Sequence, residues 1–150
     1  MGHTSAAPDE RLALALERIS RSVHAVCFAD GLHPVQWSAL RYFASADPSR
    51  RTVSGLARHL GVTQPPASRT VSTLVQRGCL ATQADAADRR SKIVSLTPLG
   101  AATLSGDPLA RIRAVLEGMG REHAALGPVL EDLERRLAAE ASRIRERAEA

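Results

Sequence analysis

One stretch of this 150-residue chain restricts its fold more than any other: "LARHLGVTQPPASRTVSTLVQRG", residues 56–78. Leu56, Ala57 and Leu60 fall on one face of a short helix. Ser54 is its expected N-cap, and Gly61 is suited to a left-handed stop. A second helix is expected to run from about Thr63 to Arg77, with Val71, Leu74 and Val75 facing inward and Gly78 ending it. Pro65 and Pro66 stand where this helix begins. The first four N–H groups of a helix have no internal partner, so proline there removes no bond the helix was making, and its fixed φ suits the first turn. A short helix, a glycine turn and a second helix form the helix-turn-helix pattern.

Around this centre the hydrophobic period is mostly helical. Leu12, Leu16, Ile19, Val23 and Val26 recur at steps of four and three through residues 9–29 and make one apolar stripe. Gly31 and Pro34 break it. A helix over roughly 34–45 follows, with Trp37, Leu40 and Phe43 or Ala44 on one face, and "ADPSRR" reads as a turn. Beyond Gly78 the period changes: residues 80–84 and 92–96 read as two short strands joined by a charged loop. Thr97 with Pro98 signals a new helix, and Gly106 with Asp107-Pro108 kinks or restarts it. Leu109, Ile112, Val115, Leu116 and Met119 mark residues 108–119. Leu126, Leu130, Leu133, Leu137, Ala141 and Ile144 keep close to a heptad step over 121–146. There, Pro128 either kinks the helix or marks its true start. Only 3% of residues are aromatic, so the core must be built from Leu, Val, Ile and Ala. The expected fold is mainly α with a small β-hairpin.

Charge is distributed unevenly. Residues 50–92 carry eight basic side chains against two carboxylates, while the whole chain has a formal charge of +4. A basic middle between structural flanks suggests a polyanion-binding centre. Two prolines at the tip of the second helix leave Thr63 or Gln64 with fewer N–H groups to cap, and fewer donors for a phosphate. Such a rigid apolar tip suits thymine methyls and base edges, with polar contacts coming from side chains. Thr63, Gln64, Pro65, Pro66, Ser68, Arg69, Ser72 and Arg77 are the candidate DNA contacts, and Arg69 is the expected reader of guanine. The loop "DAADRRSK" is the second candidate site. Arg89 and Arg90 suit a minor groove, Lys92 follows them, and Asp88 is assigned to bracing Arg90 or Arg89.

Three runs taken in order, "LHPVQWSALRYF", "LARHLGVTQPPASRTVSTLVQRGCL" and "DAADRRSKIVSLTPLG", resemble the MarR family of winged-helix transcription regulators. The resemblance covers about residues 10–145. It implies a winged helix-turn-helix domain with N- and C-terminal dimerisation helices, a triangular homodimer, and pseudo-palindromic duplex DNA as partner. It also implies repression relieved by small molecules or oxidants. On this reading residues 1–8 are a disordered N-terminus and 9–150 one MarR-type domain, with dimerisation helices at 9–30 and 108–146 and the winged helix-turn-helix at 34–97. Dimerisation has a physical argument too, because the terminal stripes leave apolar surface exposed on a monomer. Family recognition helices often carry one proline where this one has two. In the effector cleft common to the family, His24, Cys27, Trp37 and Arg41 are the candidate lining; core packing is the competing reading for them.

Other classes find less support. His3, His24, His33, His59 and His123 are scattered, no nucleophile–base pairing or Gly-rich phosphate loop emerges, and neither an enzyme nor a cofactor or metal is expected. Cys27 and Cys79 lack metal-ligand spacing and read as reduced core residues. Without an apolar signal core or a membrane-length apolar run, the chain is expected to be cytoplasmic, with no membrane partner. The competing function is a winged helix used for protein–protein contacts alone.

Overall fold

A computed structural model describes residues 7–84 and 92–149. The elements are α1 (Pro8–Cys27), α2 (Pro34–Ser45), a 3₁₀ turn (Pro48–Arg50), α3 (Val53–Leu60), α4 (Gln64–Gln76), β1 (Leu80–Ala84), β2 (Lys92–Leu96), α5 (Pro98–Leu104), α6 (Leu109–Gly118), a second 3₁₀ turn (Gly120–Glu122) and α7 (His123–Glu149). They fall into two compact units, one ending at Leu109 and the other beginning at Ala110.

In the first unit α2 is the central strut. Its Trp37, Leu40 and Phe43 are buried together with Leu56 of α3, Ala67 and Leu74 of α4, Leu80 of β1 and Val94 of β2. Each large side chain buried this way contributes about 1.5–3 kcal/mol. The expected α2 face is therefore the core, except that Ala44 is exposed and Phe43 takes the inward place. β1 and β2 pair antiparallel, from Leu80 opposite Leu96 to Ala84 opposite Lys92. A third segment joins them, since the Val94 N–H donates to the Arg51 carbonyl at 2.7 Å. The hairpin is thereby pinned to the start of α3, a long-range pairing that local periodicity does not encode.

Helix ends follow local chemistry. Gly61 closes α3 at φ 63° in the left-handed region, and Gly78 ends the α4 turn at φ 72°. The cap of α3 is Thr52, not Ser54: the Thr52 hydroxyl accepts from the Gly55 N–H at 3.0 Å. The helix starts two residues earlier because Thr52 is itself extended and its N–H bonds the Arg50 carbonyl at 2.8 Å. α1 stops at Cys27, two residues short of the expected end, and an Ala29–Leu32 bridge forms the turn that follows. Within α1 only Cys27 is buried, and the stripe carrying Leu12, Ile19, Val23 and Val26 is exposed.

In the second unit, α6 and α7 bury none of their long apolar side chains; Val115, Val129, Leu137 and Ile144 are all more than half exposed. Pro128 lies inside α7. Asp132 pairs with Arg135 and Arg136, and Glu140 with Arg143, one turn apart along α7. Such exposed pairs add only about 0.3–0.5 kcal/mol each.

Candidate nucleic-acid interface

α4 buries Ala67, Val71 and Leu74, at steps of four and three. The opposite face carries Pro65, Ser68, Arg69, Ser72 and Gln76, all exposed, at the complementary steps. The helix-turn-helix thus holds α4 by one stripe and presents the other to solvent.

The tip of α4 behaves as its prolines dictate. Thr63 occupies the N-cap and makes no side-chain cap bond. A threonine cap bonds the N–H of the second or third helical residue, and both are prolines here. The same residue type caps α3 and α5 normally, accepting from Gly55 and Gly100 at 3.0 Å each. The Thr63 hydroxyl therefore remains exposed beside Gln64 and Pro65. Gln64 is oriented by its amide, which donates to Ser54 Oγ at 2.6 Å. Ser54, read from sequence as a cap, instead braces the recognition tip across the turn. Arg69 is exposed, with no ion pair among the described residues.

Other candidates divide. Arg77 stands at the far end of α4, with its guanidinium 3.4 Å from where a Cβ on Gly31 would sit; it packs on the turn after α1, apart from the tip. Lys92 is exposed at the loop end of the hairpin, opposite Ala84. Asp88, Arg89 and Arg90 lie outside the described residues. Of the four candidate cleft residues, Trp37 is wholly buried in the core and its Nε1–H finds no acceptor among the described residues. Cys27 is buried and His24 is exposed. Arg41 donates to Asp107 Oδ1 at 2.8 Å, so an acid read from sequence only as a helix break is its partner. That carboxylate also accepts the Leu109 N–H at 2.9 Å. Cys79 is buried as well, and neither cysteine is in a disulfide. Among the described residues no cluster of His, Cys, Asp or Glu is arranged to hold a metal, and no helix is long and apolar enough to cross a membrane.

Residues 30–91 match the model of the MarR family. Over that segment the chain is similar to the MarR family. Solved structures extend the likeness beyond the matched segment. The "probable transcriptional regulator" from Pseudomonas aeruginosa is 27% identical, with a TM-score of 0.65 over 87% of this chain and 99% of its own. The PcaV transcriptional regulator from Streptomyces coelicolor, solved in complex with its natural ligand, is 22% identical, with a TM-score of 0.70 over 94% of this chain and 98% of its own. The transcriptional regulator MOSR of M. tuberculosis, solved with DNA, is 22% identical, with a TM-score of 0.65 over 93% of this chain and 99% of its own. The likeness to these last two is one of fold. No curated protein matches the sequence. Within this MarR-type winged helix, α3 and α4 form the helix-turn-helix, and β1 and β2 flank the wing.

Proposed function

We propose that the chain is a sequence-specific, duplex-DNA-binding transcriptional regulator, acting in the cytoplasm as a homodimeric repressor on a pseudo-palindromic operator. The observation that carries this reading is the exposed α4 face. Thr63, Gln64, Pro65, Ser68, Arg69 and Ser72 sit together on the solvent side of a helix-turn-helix, and among the described residues no internal ion pair consumes the Arg69 guanidinium. In a major groove the fork of Arg69 fits the two acceptors of guanine. Thr63 and the proline tip meet base edges, and Ser68 and Ser72 reach bases or phosphates. Lys92 and the wing residues Asp88, Arg89 and Arg90 extend the contact to an adjacent minor groove.

The exposed apolar stripes of α1 and α7, which we assign as the dimerisation helices within residues 9–30 and 108–146, support the homodimer. A two-fold pair presents two α4 helices to half-sites about one helical turn apart. A small-molecule effector relieves binding, as the ligand-bound PcaV fold encourages. The direct test compares Arg69→Ala with the wild type on a selected duplex and on random DNA. Loss of about 1–3 kcal/mol, or roughly 5- to 150-fold, confined to the selected duplex is expected for a base reader. Equal weakening on both makes Arg69 a phosphate contact. Binding that is absent at low salt would leave the protein–protein reading in its place.

A further inference from the structure

A cleft of about 350 Å³ opens between the end of α2, the Pro48–Arg50 turn and the second half of α3, lined by Tyr42, Ser45, Asp47, Arg50, Arg58 and His59 among others. That volume is at the lower end of the range for small-ligand sites. None of these residues belongs to the α4 face or to the four cleft candidates read from the sequence.

The walls are fixed before anything binds. Tyr42 Oη donates to the Arg50 carbonyl at 2.5 Å, and the His59 ring stacks on Tyr42 with centroids 4.9 Å apart and planes 30° off parallel. The Thr52 N–H also donates to the Arg50 carbonyl, at 2.8 Å. Arg51 Nε donates to the Ala46 carbonyl at 2.9 Å. Gly55 permits this closeness, because a Cβ there would stand 2.2 Å from the Arg50 carbonyl oxygen and 2.3 Å from Tyr42 Oη. The backbone of the turn that displays Arg50 is thus held from both sides, so the ordering cost of binding falls on the two arginine side chains.

The charges in the cleft are one-sided. Arg50 and Arg58 are exposed and form no ion pair among the described residues, and Asp47 is the single carboxylate facing them. Ser45 spends its hydroxyl hydrogen on the Arg41 carbonyl. Two arginines therefore line a polar cleft beside the Tyr42–His59 stack, whose His59 Nε2 lies 3.5 Å from Ser38 Oγ. Guanidinium forks match the tetrahedral oxygens of phosphate, and one carboxylate does not offset them. We infer that this cleft binds a phosphate-type oxyanion, clamped by Arg50 and Arg58 over the Tyr42–His59 stack. The phosphate belongs either to a free phosphorylated small molecule or to a DNA backbone beside the half-site; the chemistry is shared.

Two measurements on the full chain separate the sources. In the first, inorganic phosphate is titrated at constant ionic strength against chloride, and backbone amide shifts are followed by NMR. Saturable shifts at Arg50, Arg58 and His59, with at least fivefold weaker binding in Arg58→Gln at unchanged unfolding temperature, establish a free-phosphate site. In the second, the salt dependence of duplex binding is compared for wild type, Arg50→Gln and Arg58→Gln. A slope smaller by about 0.9 for each arginine removed identifies a backbone phosphate. Either result supports the inference. No saturable phosphate shift together with no reduction in slope overturns it. The first measurement involves no DNA, so phosphate binding by a chain that ignores DNA would sink the proposed regulator and leave this site standing.

Discussion

At Gly55 the absence of a side chain is a packing requirement, not a matter of φ. A Cβ would meet the Arg50 carbonyl and Tyr42 Oη at 2.2 and 2.3 Å, and both atoms are tied to each other by a hydrogen bond. Gly55→Ala is expected to destabilise the fold by about 1–3 kcal/mol in denaturant unfolding, because the helix and the turn must part. In Tyr42→Phe background the cost should fall, since one of the two obstructing atoms is gone; an equal cost in both would show that the carbonyl alone sets it. Nothing in the local sequence pattern singles out Gly55, because the atoms it must admit come from residues 42 and 50. The same non-local contacts explain the charges. Arg51 and Arg77 counted toward the basic middle of the chain, yet Arg51 spends its Nε on Ala46 and Arg77 packs on Gly31. Composition located the cationic region; only folding distinguishes the cations that face outward.

Among the elements, the three threonine-capped helices form an internal comparison. Thr52 and Thr97 each accept an N–H from the third helical residue, a glycine in both helices, whereas Thr63 faces a proline at that position. Thr52→Ala is expected to cost about 0.5–2 kcal/mol. Thr97→Ala should cost at least as much, because Thr97 Oγ1 also donates to the Gly78 carbonyl at 2.6 Å. Thr63→Ala should stay within about 0.5 kcal/mol while weakening DNA binding. Thermal unfolding of the three variants side by side checks the order; a Thr63 loss as large as that of Thr52 would contradict the account of the proline tip. The elements themselves were largely legible: α2, both strands and the start of α5 fall where caps, prolines and period place them. The cap of α3 was not, since Ser54 is by type at least as good a cap as Thr52 and the choice is made by the Arg50–Thr52 turn. Pro128 was equally silent, because sequence does not say whether a helix begins before or after a proline; here α7 begins five residues earlier and gives up one i→i−4 bond.

For the whole molecule the main question is what covers the apolar stripes. Ile19 is 57% exposed on α1 and Leu137 is 57% exposed on α7, a cost in water of about 25 cal/mol for each Å² left uncovered. The heptad step made this stripe readable in the sequence, and the winged helix and its α4 face were readable with it. The wing contacts and the identity of any effector were not. If α1 and α7 form the dimer interface, the wild type sediments as a dimer at micromolar concentration, and Ile19→Glu with Leu137→Glu shifts it to monomer without loss of helix content. A wild-type monomer would remove the two-fold argument. The central claim is that paired α4 helices read duplex DNA, and selection of bound duplexes from a random library at two salt concentrations tests it most directly. The expected result is an enriched palindrome with half-sites about 10 bp apart, bound steeply less at the higher salt. Weak binding with no enriched sequence, or binding indifferent to salt, would contradict it.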